Sequence, residues 1–345
     1  MIKIPFEELE LKKMANKFYN EVYTRLALQD KINNTQWPNE LRNVIAFINI
    51  NLKEIITGTP EQLEQIILAL EQLIRDAKQE YVQNNGIPLP ATRRLNKWFK
   101  EQMEIIFNYN NGSQSFTNLL DENGDKIAYL HSESLGLNTC VYCNANFTYT
   151  IKTKEINCRP EFDHFYLKSK YPYLAISFFN LIPSCSLCNS GALKGTKPFN
   201  FQNHIHPFIE SFNDVYEFRT KISSVDFIKN HKEFTITFSE KKELSDQQKA
   251  LLEKAKKNKK IFALETRYNQ HKNVVKDIIY KAYIYNNSTV EDIYAEFKIK
   301  KKKIFNSRDE VKRLVFGNLL DHSKHHLSIH SKLITDIADE FGIRI

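Results

Sequence analysis

Nowhere do 18 apolar residues run together, which excludes a membrane-spanning helix on hydropathy. The opening Met1-Ile2-Lys3-Ile4-Pro5-Phe6 leads straight into the charged Glu7-Glu8-Leu9-Glu10-Leu11-Lys12-Lys13. It carries no secretory signal pattern. A cytoplasmic protein with no membrane partner is expected. Internal repeats and low-complexity tracts are missing as well. Cysteine is sparse, five residues in 345, and four of the five stand in paired Cys-x-x-C spacing, at Cys140/Cys143 and Cys185/Cys188. In a reducing compartment that pattern points to metal and away from a disulfide framework. Cys158 is left over and reads as an ordinary, partly buried thiol.

What is present begins with length, enough for a sizeable core and about two to three domains. The formal charge of +8 and pI near 9.0 favour a polyanionic partner without proving one. Residues 7–31 and 41–56 carry large apolar side chains at helical spacing, broken by Asn33-Asn34 and Trp37-Pro38. A third helix is signalled by Thr59 as N-cap, Pro60 at the first position and Gln62 as capping-box partner. Leu63, Ile66, Ile67, Leu70, Leu73, Ile74 and Ala77 then share a face, expected to be a buried seam and otherwise a docking surface. Gly86-Ile87-Pro88-Leu89-Pro90 ends that segment. Another helix runs through Trp98-Phe99 and Ile105-Ile106, and 108–115 is a polar turn.

The organising stretch lies between Cys140 and Lys197. Each Cys-x-x-C pair presents two thiolates from one turn, and two pairs supply the four soft ligands of a closed tetrahedral zinc site. Such a site ties the intervening chain into one loop, bringing Asp163-His164 near Asn180 and Asn189. Inside it, Phe147, Tyr149 and Ile151 alternate like a half-exposed strand. A second strand after Pro160 ends at Asp163-His164, a third covers 180–184, and a helix begins near Cys188-Asn189.

Asp163-His164, Asn180-Leu181 and Cys188-Asn189 with Lys194-Gly195 resemble the HNH endonucleases. The wording around them is similar to the HNH nuclease subunit of Septu-type and retron-associated anti-phage defence systems. The motif resemblance covers roughly residues 138–210, with a faint extension at Arg267-Tyr268. It implies an α+β fold with a zinc-stapled ββα-metal core at 137–210. A helical N-terminal domain at 1–136 and a small sheet plus helices at 211–345 flank that core. It also implies a metal-dependent endonuclease, with DNA favoured over RNA. Phosphodiester hydrolysis needs a base to deprotonate water and a cation to neutralise developing charge. On this resemblance His164 is the general base, and Asp163 and Asn189 bind catalytic Mg²⁺ or Mn²⁺. Asn180 clamps the loop through the backbone at His164, and Lys194 contacts phosphate. Cys140, Cys143, Cys185 and Cys188 hold structural zinc. A companion ABC or SMC-like ATPase is the implied partner. The alternative is a zinc-knuckle nucleic-acid-binding or protein-docking module whose nuclease centre is inactive.

Beyond Pro207, Tyr216 to Arg219, Val225 to Ile228 and Phe234 to Phe238 read as short strands, and Ser245 with Gln248 opens further helices that continue to Glu340. Basic clusters lie at 241–242, 254–260 and 298–303. A lysine run is ordinarily a solvated face, but beside a nuclease core at least one is expected to touch phosphates. His204 and His206 are expected to be surface or packing residues, with reach to the metal as the rival reading. His322, His325, His326 and His330 are expected on an exposed histidine-rich helix, the rival being a metal cluster.

Overall fold

Thr59 shows how local sequence builds this molecule. Its side chain accepts the Gln62 N–H while Gln62 Oε1 accepts the Thr59 N–H at 2.9 Å, so two orphan donors are satisfied at once. The computed structural model describes residues 1–224, 234–299, 302–317 and 321–343. The expected strand at Val225 to Ile228 falls outside them.

Six helices precede the cysteine region: α1 (Glu8–Arg25), α2 (Leu28–Asn34), α3 (Arg42–Thr57), α4 (Pro60–Asn84), α5 (Thr92–Ile106) and α6 (Ile127–Ser134). The expected helix over 7–31 is in fact two. Ala27 turns the chain at φ 48°, while Leu26 and Leu28 on either side stay buried, so the apolar spacing runs through the break unmarked. Leu63, Ile66, Leu70 and Ala77 of α4 are buried, and α4 packs on α3. Ile67, Leu73 and Ile74 are only half-buried at its flank.

The central region contains four short strands. β1 (Ile151–Lys152) pairs with β2 (Asn157–Cys158), and β3 (Glu161–His164) pairs antiparallel with β4 (Leu181–Ser184), Asp163 facing Ile182 and His164 facing Leu181. The strand expected over Phe147 to Ile151 shrinks to the two residues of β1, and Phe147 makes one isolated bridge to Thr139. Cys158 lies exposed on β2 instead of partly buried. The expected helix starts earlier than anticipated. α7 (Ser186–Asn189) is four residues long, with Cys185 as its N-cap residue and Asn189 at its end.

Beyond this, β5 (Tyr216–Ile222) and β6 (Phe234–Glu240) form an antiparallel pair. The Ser245 and Gln248 capping box opens α8 (Asp246–Ile261) as expected. The chain continues through α9 (Leu264–Tyr268), α10 (Lys272–Ile284), α11 (Asn287–Glu296), β7 (Lys298–Ile299), β8 (Lys302–Lys303), α12 (Arg308–Phe316) and α13 (Ser331–Glu340). The third basic cluster therefore sits on a tiny β pair and not on a helix. One continuous cluster of buried side chains runs from Met1 through the β3–β4 pair to Ile343. The result is a mixed α and β protein, with small two-stranded sheets set among helices. No helix among the described residues is long and apolar enough to cross a membrane.

Two histidines buried in this core make stability sensitive to acid. His131 sits among Phe18, Phe162 and Phe178, and burial lowers its pKa to about 3, with Arg159 adding to the effect. His206, packed on Phe165 and Phe208, is likewise lowered to about 3 by burial. The unfolded chain binds protons at these groups below pH 6.5, and the folded chain does not until about 3. Stability is therefore complete above 6.5 and is lost as pH falls, by roughly 1.4 kcal/mol per pH unit for each histidine. A His131→Phe variant, whose ring suits the aromatic site, is expected to recover roughly 2 kcal/mol of the loss between pH 7 and pH 5, read from urea midpoints. An unchanged acid dependence would remove His131 as a cause.

Candidate active site and metal cluster

The four paired cysteines converge. Cys140, Cys143, Cys185 and Cys188 are buried, and their four sulfurs all lie within 4.8 Å of one another. Cys143 and Cys185 sulfurs are 4.0 Å apart. A tetrahedral zinc with bonds of about 2.3 Å requires sulfurs about 3.8 Å apart, so the donor set and its spacing fit zinc. Two N–H groups point at the sulfurs: Asn146 Nδ2 donates to Cys185 at 3.2 Å and Arg267 to Cys188 at 3.3 Å. The neighbouring Tyr268 hydroxyl donates to the Cys143 carbonyl at 2.5 Å. The Arg-Tyr pair of α9 thus caps the cluster, which explains why a faint signal there stood apart from the rest of the C-terminal sequence. The cluster is also tied to α13 through Asn144, whose side-chain oxygen accepts from Ser331 Oγ and Lys332 N, each at 3.1 Å.

Beside the cluster, a cleft of about 510 Å³ is lined by Asp163, His164 and Asn189, together with Glu161, Arg159 and Lys168. The β3–β4 pair supplies the first two of these residues and α7 the third. Sequence spacing thus places three of the candidate site residues on one cavity, while Asn180 lies behind it.

His164 Nε2 lies 2.9 Å from the Ala175 carbonyl. A carbonyl only accepts, so Nε2 carries the proton and Nδ1 is left as the acceptor; the tautomer is assigned from this bond. Burial, with Lys168 second, lowers its pKa to about 3, so the imidazole is neutral. Tyr109 packs edge-on against the ring at 4.6 Å and holds its plane.

Asp163 is only 2% exposed. Its Oδ2 accepts from the Tyr142 hydroxyl at 2.6 Å and its Oδ1 from Lys194 Nζ at 2.8 Å. Lys194 also donates to the His164 carbonyl at 2.8 Å and is fully buried. The expectation that Lys194 contacts phosphate is therefore overturned. Its ammonium is consumed under the β3 strand, where an unpaired carboxylate would be costly. The turn that brings it there needs Gly195, which has φ +44° and where an added Cβ would lie 2.7 Å from Gly191 Cα.

Asn189 donates from Nδ2 to Glu161 Oε2 at 2.7 Å. Glu161 escaped the motif reading, although residues two apart on a strand share a face and Glu161 stands two before Asp163. Neither Arg159 nor Lys168 falls on a motif position, so the motif assigns them no role.

Asn180 is fully buried and bonds the loop, but not at His164 as expected. Its Oδ1 accepts the Tyr166 N–H at 2.6 Å, and its Nδ2 donates to the carbonyls of Leu174 and Tyr166 at 2.8 and 3.1 Å. Replacing it with alanine strands three buried backbone groups, each worth roughly 1–3 kcal/mol. An Asn180→Ala variant is expected to lose roughly 3 kcal/mol or more, with the midpoint of urea unfolding as the measure. A midpoint equal to that of wild type would mean the loop holds its shape without the clamp.

The remaining candidates fall outside the cleft. His204 stacks on Phe199 at 4.0 Å, and His206 is buried against Phe165. Both are packing residues. The expected exposed histidine helix is not observed. His325 is buried, with Nε2 3.1 Å from Thr335 Oγ1, and His330 is buried at φ 58° just before α13, outside the short 3-10 helix His322–Leu327. The side chain of His322 lies outside the described set. Among the described residues the four cysteines are the only group of three or more His, Cys, Asp or Glu side chains gathered closely enough to hold a metal. On α8, Lys254, Lys256 and Lys259 pair with Glu210, Glu253 and Glu265 at 2.6, 2.8 and 3.3 Å, so three of the five lysines in that basic run are matched by the protein's own carboxylates.

No protein-family model matches the chain, and no solved structure matches it. A stretch of 86 residues is 34% identical to the Septu protein PtuB of Bacillus thuringiensis. The match takes in 25% of this chain and 29% of that relative, so the chain spans less than a third of the relative it is similar to.

Proposed function

We propose that this chain is a metal-dependent HNH endonuclease of a bacterial anti-phage defence system, hydrolysing nucleic-acid phosphodiester bonds, with DNA favoured. The observation that carries the reading is the single cleft lined by Asp163, His164 and Asn189, the first two delivered by β3, which β4 pairs, and the third by the short helix α7 beside the four cysteines. The likeness to a Septu protein supports the defence setting. In this reading residues 137–210 are a ββα-metal core, between a helical domain at 1–136 and a mixed domain at 211–345.

His164 acts as general base. Its Nε2–H is held by Ala175, and neutral Nδ1 takes the proton of the attacking water. Asp163 and Asn189 would hold a hard divalent cation, Mg²⁺ or Mn²⁺. Both are oxygen donors, the kind such an ion prefers, and each carboxylate oxygen of Asp163 accepts one bond and keeps a second lone pair. The ion would supply neutralisation of charge on the phosphorane and leaving oxygen. Lys194 and Tyr142 orient the Asp163 carboxylate, Asn180 shapes the loop behind it, and Arg159 and Lys168 present positive charge to a phosphate at the cleft. Zinc on the four cysteines is structural.

One observation favours the alternative of a binding module with a silent centre. Both Asp163 oxygens are already engaged by buried donors. Incubation with plasmid DNA and with RNA, with and without Mg²⁺ or Mn²⁺, separates the two. Cation-dependent cleavage supports the endonuclease, and a mobility shift without cleavage supports the module. A companion ATPase of the ABC or SMC-like type is proposed as partner. Co-elution with the product of the neighbouring gene, and nucleotide-dependent cleavage, are the expected results. A chain that runs alone and ignores nucleotide overturns the partner while leaving the nuclease intact.

A further inference from the structure

A second groove, of about 1060 Å³, lies beside the cleft between α4 and α5. On α4 its residues recur three and four apart, from Glu64 through Leu68 and Glu71 to Arg75 and Lys78, so one helical face forms a continuous wall. Arg93 and Phe99 belong to the α5 wall. The third wall is the chain leaving His164, and there the two concavities meet. Lys168 lines the cleft, Lys170 lines the groove, and Ser169 between them lines both. A single ridge therefore places one lysine in each.

Cations outnumber carboxylates in the groove, four to two. Arg75, Lys78, Arg93 and Lys170 face Glu64 and Glu71. Glu64 accepts the Phe201 N–H at 2.6 Å, and Glu71 pairs with Arg75 at 3.6 Å. Among the described residues no carboxylate pairs with Lys78, Arg93 or Lys170. On α8, by contrast, Lys254, Lys256 and Lys259 are each matched by a glutamate. Between the cations run the apolar side chains of Ile67, Leu68 and Ile74 and the half-buried ring of Tyr171, over which Lys170 lies at 4.9 Å. Spaced cations beside an apolar, partly aromatic strip suit a strand with phosphates on one edge and base faces on the other.

We infer that this groove binds a single-stranded segment of nucleic acid that continues over the Lys168–Lys170 ridge into the cleft. Naming the cleft as the destination rests on the endonuclease reading; binding in the groove does not. From Glu64 to Lys78 the wall is about 21 Å long at 1.5 Å per residue. At 3.4 Å per nucleotide it accommodates roughly six stacked nucleotides.

The test is fluorescence anisotropy of the full chain, carrying His164→Ala and without added divalent cation, against labelled oligothymidylates of about 4 and about 12 nucleotides. The longer strand is expected to bind at least tenfold tighter than the shorter. Adding Arg93→Glu and Lys170→Glu, both exposed positions, should abolish most of that gain, change the short strand less than about twofold, and reduce the salt slope by about 1.4. Unchanged zinc content and circular dichroism establish that the variant is folded, and should it fail to fold, Arg93→Gln and Lys170→Gln singly keep the same readout. A gain equal to that of the parent, or equal loss for both lengths, overturns the groove. Full oligonucleotide affinity combined with lost co-elution of the neighbouring gene product assigns the groove to a protein and also overturns it. Length-dependent binding without any cleavage by the wild-type chain sustains the groove while the endonuclease reading falls.

Discussion

His164→Ala is expected to reduce cleavage at least about 10²-fold, the range in which loss of a positioned general base falls, while the protein stays folded and still binds its substrate. The reasoning is geometric. Nε2 of His164 is occupied by the Ala175 carbonyl, so only Nδ1 is free to take a proton. Among the described residues no second imidazole lines the cleft: His204 stacks on Phe199 and His206 is packed against Phe165. Folding should survive. The variant leaves one carbonyl short of a partner and a modest void, a cost of roughly 1–3 kcal/mol against a domain stability of roughly 5–15. The rate loss should fall on kcat, with oligonucleotide affinity within about twofold of the parent, since the base contributes in the chemical step. Asn180→Ala provides the contrast, since it should lower activity and the unfolding midpoint together. A His164→Ala protein that cleaves at the wild-type rate would end the assignment. Cleavage lost together with circular dichroism signal would show only that the fold had been damaged.

Much of this arrangement is legible in the sequence because it is written in short spacings. Cys-x-x-C pairs, the Thr59 and Ser245 capping boxes and the strand ending at Asp163-His164 are all local patterns, and local geometry constrains them. What escaped was set by distant partners. Lys194 looks like a surface cation in sequence. It is buried in a turn only because Asp163, on β3, waits as its counter-ion. The histidines near the C-terminus look solvated for the same reason. Asn213, 112 residues earlier, and Thr335 on α13 meet the His325 ring. The break at Ala27 was invisible because its neighbours Leu26 and Leu28 preserve the apolar spacing while the backbone turns. The groove between α4 and α5 was half visible. Ile67 and Ile74 belong to the apolar stripe that predicts a buried seam, yet they sit at its edge, and only the packing of α4 shows which part of the stripe is covered.

Cys185→Ser is expected to produce the largest loss of stability in the molecule. Four buried cysteine sulfurs within 4.8 Å of one another form a donor set whose thiolates repel unless a cation joins them. Metal binding of that kind contributes about 10–16 kcal/mol in zinc-finger peptides at neutral pH, comparable with or above the whole stability of an ordinary domain. Cys185 stands where β4 gives way to α7, so its loss unties the β3–β4 pair from the Cys140 and Cys143 turn. The damage should spread, because Arg267 and Tyr268 of α9 rest on Cys188 and on the Cys143 carbonyl. A serine hydroxyl cannot substitute, since it does not ionise to a soft ligand at neutral pH. Wild-type protein is expected to carry about one zinc per chain by elemental analysis. The Cys185→Ser protein should be poorly soluble or lack a cooperative unfolding transition. Cys158→Ser is the control, because Cys158 is exposed on β2 and belongs to no cluster. Its zinc content should be unchanged and its stability within about 0.5 kcal/mol of the parent. Wild-type protein purified without chelator and found free of zinc would remove the metal from the cluster. A Cys185→Ser protein that keeps both its zinc and its melting temperature would show that the staple does not hold this fold together.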